Sequence, residues 1–138
     1  MKKQLKVIGT PVPKHDARQR VTGQAVYGHD IRLPGMLYGA ILRSAHPCAD
    51  FTIDVSQARN LPGVHAVITA DDVDTNNISY KRDHPILKKS RVNCIRDEIA
   101  AVAAVSEEIA RQALKLIKVT WKPRKGVYDP FDALKSKA

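Results

Sequence analysis

Between residues 98 and 121 the chain changes its hydrophobic period twice with almost no residues to spare. EIAAVAAV (98–105) is an unbroken apolar run that ends at Ser106. In the segment that follows, Ile109, Ala113, Leu114 and Ile117 recur at helical spacing, while Arg111 and Lys115 fall on the other side. IKVTW (117–121) then returns to a period of two. Ser106 is of the type that caps a helix, and Glu107 and Glu108 sit in the first turn, where the helix dipole favours negative charge. The reading is a strand, a helix over about 106–116 and a second strand, joined almost directly. Such a helix is the main cover available to a small sheet, so the class is α+β.

The rest of the chain supplies shorter pieces. Residues 7–20, VIGTPVPKHDARQR, hold two prolines and few apolar residues, and read with the N-terminus as an extended arm over about 1–20. VTGQAVYGHDI reads as a short strand bracketed by turns. Leu33-Pro34-Gly35 is a turn, with Pro34 fixing φ and Gly35 accepting the positive φ required next. Met36 to Leu42 is a candidate buried strand, apolar on both faces except at Gly39, and FTIDV (51–55) alternates as a half-buried strand does. Asp54 or Ser56 is placed to cap a short helix, SQARN, which LPG (61–63) ends. VHAVITA (64–70) is a β-branched strand with Thr69 placed to cap the turn after it. Residues 74–90 are polar and proline-interrupted, which predicts the longest and most mobile loop. GVYDPFDAL closes with a proline turn and a short helix. The sum is about five short strands and two or three helices in one domain, 1–138.

Charge is the unusual bulk property: 23 Lys+Arg against 14 Asp+Glu give a net +9. The basic residues are dispersed over MKKQLK, KHDARQR, YKRDH, LKKSR, KLIK and WKPRK, and aromatics are only 5% of the chain. Both facts disfavour nucleic acid as the partner. No apolar run approaches the roughly 20 residues of a membrane helix, and no apolar stretch of the secretory type follows the N-terminal lysines. Two cysteines, Cys48 and Cys94, lie far apart; they suit a reducing cytoplasm and are too few for an iron–sulfur cluster.

The polar cluster Arg43, Ser44, His46 and Cys48 is the strongest candidate for chemistry. His46 and Cys48 would share one side of a strand, but no second His/Cys pair lies near, and His15, His29, His65 and His84 are isolated. Neither Cys48 nor Cys94 has a local pattern that would make it a nucleophile, so a buried inert thiol is the default. Gly23 and Gly28 form GxxxxG without the Lys and Ser/Thr of a phosphate loop. Asp71-Asp72 and Asp97-Glu98 are adjacent carboxylates, which on a strand point to opposite faces and make no acid/base dyad. The residues therefore give no catalytic, cofactor-binding or metal-ligating set.

Taken in order, the motifs resemble one known domain. GTPVPKHDARQRVTGQAVYGHDIRLPGMLYGAILRSAHPCADFTIDVSQARNLPGVHAVITADDV resembles the start of the molybdenum-binding subunit of the xanthine dehydrogenase/aldehyde oxidase family, the α/β hammerhead domain. DEIAAVAAVSEEIARQALKLIKVTWKPRKGVYDP resembles the end of that domain, so the likeness covers about residues 8–134. The DEIAAVAAV wording is nearest to the hydroxybenzoyl-CoA reductase and bacterial xanthine dehydrogenase branches. Two positions depart from the family: Cys48 replaces the second histidine of R-S-x-H-x-H-A, and Arg96 stands where a glycine is usual.

The resemblance implies a hammerhead fold, a short mixed sheet covered by the helix at 106–116, and a structural role for the RSAHPCA loop. It implies that the catalytic glutamate and the molybdopterin and molybdenum contacts lie in later domains, hence in a partner chain. The expected role is a non-catalytic hammerhead subunit or fragment of a molybdenum hydroxylase, docking onto the molybdopterin-binding remainder beside iron–sulfur and flavin subunits. A freestanding basic module that binds an acidic protein or nucleic acid is the alternative. The apolar strands 36–42 and 98–105 also exceed what one helix covers, so part of their surface should be adhesive.

Overall fold

The computed structural model describes residues 7–73, 77–78 and 80–135. The chain divides into two compact units, one up to Pro34 and one from Gly35 onward.

In the first unit, α1 (Ala17–Val21) falls inside the stretch read as an extended arm. ARQR is made of good helix formers, and Arg20 Nε lies 2.7 Å from the Asp16 carboxylate one turn earlier. The strand expected within 21–31 does not form. Thr22 and Gly23 turn the chain after α1, and Gly28–Asp30 is a 3-10 turn in which Asp30 accepts the Tyr27 N–H at 3.0 Å. Apolar residues there have β-propensity, but no strand pairing involves them among the described residues, and propensity alone does not make a strand.

The second unit has eight strands among the described residues: β1 (Tyr38–Arg43), β2 (Ala49–Asp54), β3 (Val64–Thr69), β4 (Asn77–Ile78), β5 (His84–Pro85), β6 (Arg91–Val92), β7 (Glu98–Ala104) and β8 (Lys118–Pro123). Its helices are α2 (Ser56–Arg59), α3 (Glu107–Leu116) and α4 (Pro130–Ala133). The strands form sheets in the orders β1-β7-β3, β6-β2-β8 and β4-β5. The fold is α+β with small sheets and few helices, in agreement with the sequence. The arrangement differs in one detail, because the described residues form two three-stranded sheets and one two-stranded sheet, none of them mixed: every pairing is antiparallel. β1 and β3 run the same way, but β7 enters between them running opposite.

The central position of β7 follows from its unbroken apolar run, which tolerates a neighbour on both edges and cover on both faces. Ala100, Val102 and Ala104 meet Ala110, Ala113 and Ile117 of the α3 segment in the main core, with Ala58 and Val67. The alanines at 110 and 113 are fully buried and let α3 lie close to the sheet. Ser106 Oγ accepts the Ile109 N–H at 3.2 Å, the cap expected of it. A second cluster joins Ala49, Phe51, Val92 and Ile99; Leu42, Ile53 and Val119 pack on both clusters and tie the sheets together. The β1 segment is not buried on both faces as its composition suggested: alternate residues are exposed. Within 74–90, β4 and β5 pair in a region expected to be loop, while residues 74–76 and Ser79 lie outside the described residues.

Candidate functional site

The polar cluster after β1 is a backbone-binding knot. Ser44 is 3% exposed; its hydroxyl donates to the His46 carbonyl at 2.8 Å and accepts the His46 N–H at 2.9 Å. Its own N–H donates to the Asp97 carbonyl at 2.9 Å, and its carbonyl accepts the Arg96 N–H at 2.8 Å. Asp97 is also buried, and Oδ2 accepts the N–H groups of Asn93 and Cys94 at 2.8 and 3.1 Å, with Lys88 Nζ 3.8 Å away. Ser44 Oγ and Asp97 Oδ2 thus each serve backbone groups of their own loop, as burial of polar groups demands. Arg96 takes φ +73, the left-handed conformation of the glycine that the family resemblance puts there.

The remaining candidates do not converge. His46 tilts onto Trp121 with ring centroids 4.9 Å apart, and Trp121 in turn packs on Phe51 at 5.4 Å. Cys48 is half-buried and Cys94 exposed, both as free thiols. Among the described residues no three His, Cys, Asp or Glu side chains gather as a ligand set. Asp72 accepts the Thr69 N–H and hydroxyl, both at 2.8 Å, and the Arg59 guanidinium, so that carboxylate serves a cap and an ion pair. Asp71 pairs with Lys89 at 2.6 Å, and Glu98 with Arg43 at 3.1 Å.

One carboxylate carries a cluster that sequence spacing hides. Asp50 lies opposite Arg91 on β6 and near Arg124 after β8, with contacts of 2.7 and 2.9 Å. The Arg91 hydrogen bond, then that of Arg124, hold the Asp50 carboxyl below the usual carboxylate range. The partners are 41 and 74 residues away, so only the strand register brings them together. A surface depression at the start of α3 is lined by Glu107, Glu108, Arg111 and Gln112, which already bond to one another at i,i+4 spacing. No helix is long and apolar enough to cross a membrane among the described residues.

Small antiparallel sheets, one of them covered by a single long helix, with the polar loop after β1 tied to the loop before β7, define a class of small α+β domain. Comparison with known proteins says which. Residues 22–125 match the family described as "Aldehyde oxidase and xanthine dehydrogenase, a/b hammerhead domain", and the chain belongs to it. It is 43% identical over 126 residues to a probable xanthine dehydrogenase subunit of Bacillus subtilis, covering 89% of this chain and 17% of that one. It is 33% identical over 138 residues to "Nicotinate dehydrogenase large molybdopterin subunit" of Eubacterium barkeri, covering 97% of this chain and 32% of that one. The solved CO dehydrogenase of Oligotropha carboxidovorans superposes with a TM-score of 0.87 at 32% identity, over 94% of this chain and 17% of the other. The chain thus spans between about a sixth and a third of the length of these relatives.

Proposed function

We infer that the chain is the non-catalytic hammerhead part of a molybdenum hydroxylase and docks onto the molybdopterin-binding remainder of the large subunit. The observation that carries this is the match over 94% of this chain to only 17% of a CO dehydrogenase chain, with the fold retained at a TM-score of 0.87. Two related chains bear names that mention molybdopterin or a subunit of a larger enzyme, which supports a partner of that kind. The commitment of Ser44, Asp97 and Asp72 to hydrogen bonds within the chain supports a structural role for those side chains. In this reading the pterin and molybdenum belong to the partner, iron–sulfur and flavin subunits complete the assembly, and the complex is cytoplasmic.

The test is purification of the tagged chain from its native host, with metal analysis of what accompanies it. Molybdenum and a large-subunit polypeptide should arrive together with it. Nucleic acid released by moderate salt, with no molybdenum, would replace this reading with that of a freestanding basic module.

A further inference from the structure

The face of the β1-β7-β3 sheet turned away from α3 has a composition that water does not favour. Register places Ile41, Ala101 and Ile68 in one row across it, and Gly39, Ala103 and Ala66 in the next. Ile41 is 46% exposed and Ile68 38%. Gly39 and Ala66 are also exposed, and Ala101 and Ala103 half-buried. A solvated face of an antiparallel sheet normally carries polar side chains, yet neither row holds one, in a chain with 23 Lys+Arg and 14 Asp+Glu. The relief is specific too. Ile41 and Ile68 on the outer strands flank Ala101, and the next row holds only Gly39, Ala103 and Ala66, which leaves a shallow trough beside the isoleucines along β7.

Gly39 adds a second observation. Its φ is not positive, and a Cβ built on it meets nothing within 4 Å, so the chain's own packing does not require glycine there. Glycine weakens a strand interior and commonly marks a place where another backbone comes close. A trough with a bare backbone at one wall suits a packed protein segment. It does not suit nucleic acid, for which the face offers no charge. A relative carries this domain within a chain about six times longer, where a large further body of protein is at hand.

We propose that this trough, centred on Ala101 and Ala103 between Ile41 and Ile68, is the docking surface for the molybdopterin-binding remainder of a molybdenum-hydroxylase large subunit. An apolar segment of that partner packs along β7 and approaches closely at Gly39. The proposal rests on the functional reading above and adds the surface that does the docking.

The experiment measures binding of the full chain to the separately produced large-subunit remainder of the same host, with the thermal midpoint of each free variant measured alongside. Gly39→Val should leave the free chain as stable or more so, because valine suits a strand and has room. It should weaken docking about tenfold or more by filling the trough. Ile68→Lys, which would bury an unpaired charge, should do the same. Gln112→Lys, on the exposed side of α3, should change nothing, and wild-type affinity should persist between 0.1 and 0.5 M salt. If wild type binds and both trough variants bind equally well, the surface is wrong and the functional reading stands. If wild type does not bind, the functional reading falls and takes this inference with it. Sedimentation showing wild-type dimers that Ile68→Lys dissolves would make the occupant a second copy of this chain and overturn the proposal.

Discussion

Gly63→Ala tests how tightly α3 is seated, and its cost follows from two separate terms. Gly63 lies between α2 and β3 with φ +88, and its carbonyl accepts the Val105 N–H at 2.9 Å, so the bend is held from both sides. Placing alanine in the left-handed region costs about 1–2 kcal/mol. The new Cβ would also stand 2.8 Å from Ile109 Cδ1 and 3.1 Å from Val105 Cγ2. Overpacking of that kind costs about 1–3 kcal/mol. The lower end applies, because Cδ1 is the tip of a side chain that can turn. Reduced freedom of the unfolded chain returns about 0.4–1 kcal/mol. The net is a destabilisation of about 1–2.5 kcal/mol, a sizeable part of the 5–15 kcal/mol typical of a domain.

Urea denaturation gives the assay: the midpoint should fall with the slope unchanged. Ile109→Val separates the terms by removing Cδ1. Alone it should cost about 0.5–1.5 kcal/mol. In the Gly63→Ala background it should cost almost nothing, because it relieves the clash, and a coupling of about 1 kcal/mol should appear in the double-mutant cycle. Destabilisation below about 0.5 kcal/mol, or strict additivity, would refute the claim that α3 packs on this bend.

The other expectations are simpler. Leu114 is half-buried against the main core, so Leu114→Ala should cost about 1–2 kcal/mol, less than Ile99→Ala, where full burial implies about 2–5 kcal/mol; the reverse order in denaturant melts would misplace α3. Arg96→Gly should leave the fold intact and raise stability by up to about 1 kcal/mol, since φ +73 strains arginine while the N–H bond to Ser44 survives; a lower thermal midpoint would show that the arginine side chain holds something in place. The Asp50, Asp54 and Asp72 carboxyls are all held below their usual range in the folded state, by Arg91 and Arg124, by Ser56 and by Thr69 respectively. Their contribution is therefore present above the unfolded carboxylate value of about 4 and is lost as pH falls through the lower folded values. The thermal midpoint should drop between about pH 5 and 3, and Asp50→Asn should flatten that drop; an unchanged profile in the variant would remove Asp50 as a contributor.

What the sequence revealed, it revealed through local signals. α3, its serine cap and the flanking strands were legible because period and capping are set within a few residues. The bend at Gly35 was legible for the same reason, and its φ is +73. The N-terminal unit inverts the expected order of arm then strand, because prolines obscure the helix-forming ARQR and because the β-propensity of Val21, Ala25, Val26 and Tyr27 meets no strand pairing among the described residues. Register was beyond reach. The meeting of Asp50 with Arg91 and Arg124, and the row Ile41–Ala101–Ile68, join residues tens of positions apart through β2 and β7. The surplus of apolar strand surface was visible in composition, but the face on which it would emerge was not.

That contrast bears on how such a domain contributes to an enzyme. Ser44 and Asp97 look like chemistry in the sequence, yet their oxygens are consumed by backbone N–H and carbonyl groups of two crossing loops. Buried polar groups satisfied in this way fix geometry: each side chain holds its own loop, and the main-chain bonds from the Ser44 N–H to Asp97 and from the Arg96 N–H to Ser44 join the end of β1 to the start of β7. Leu42 and Ile99 sit beside that junction and pack into the second cluster, where they meet Ala49, Phe51 and Val92 of the other sheet. A rigid junction keeps the trough on β7 in one shape, and a preformed surface binds with less ordering cost than a pliable one. Under the proposed docking, the residues that resemble a reaction centre would act on function through the surface they hold still.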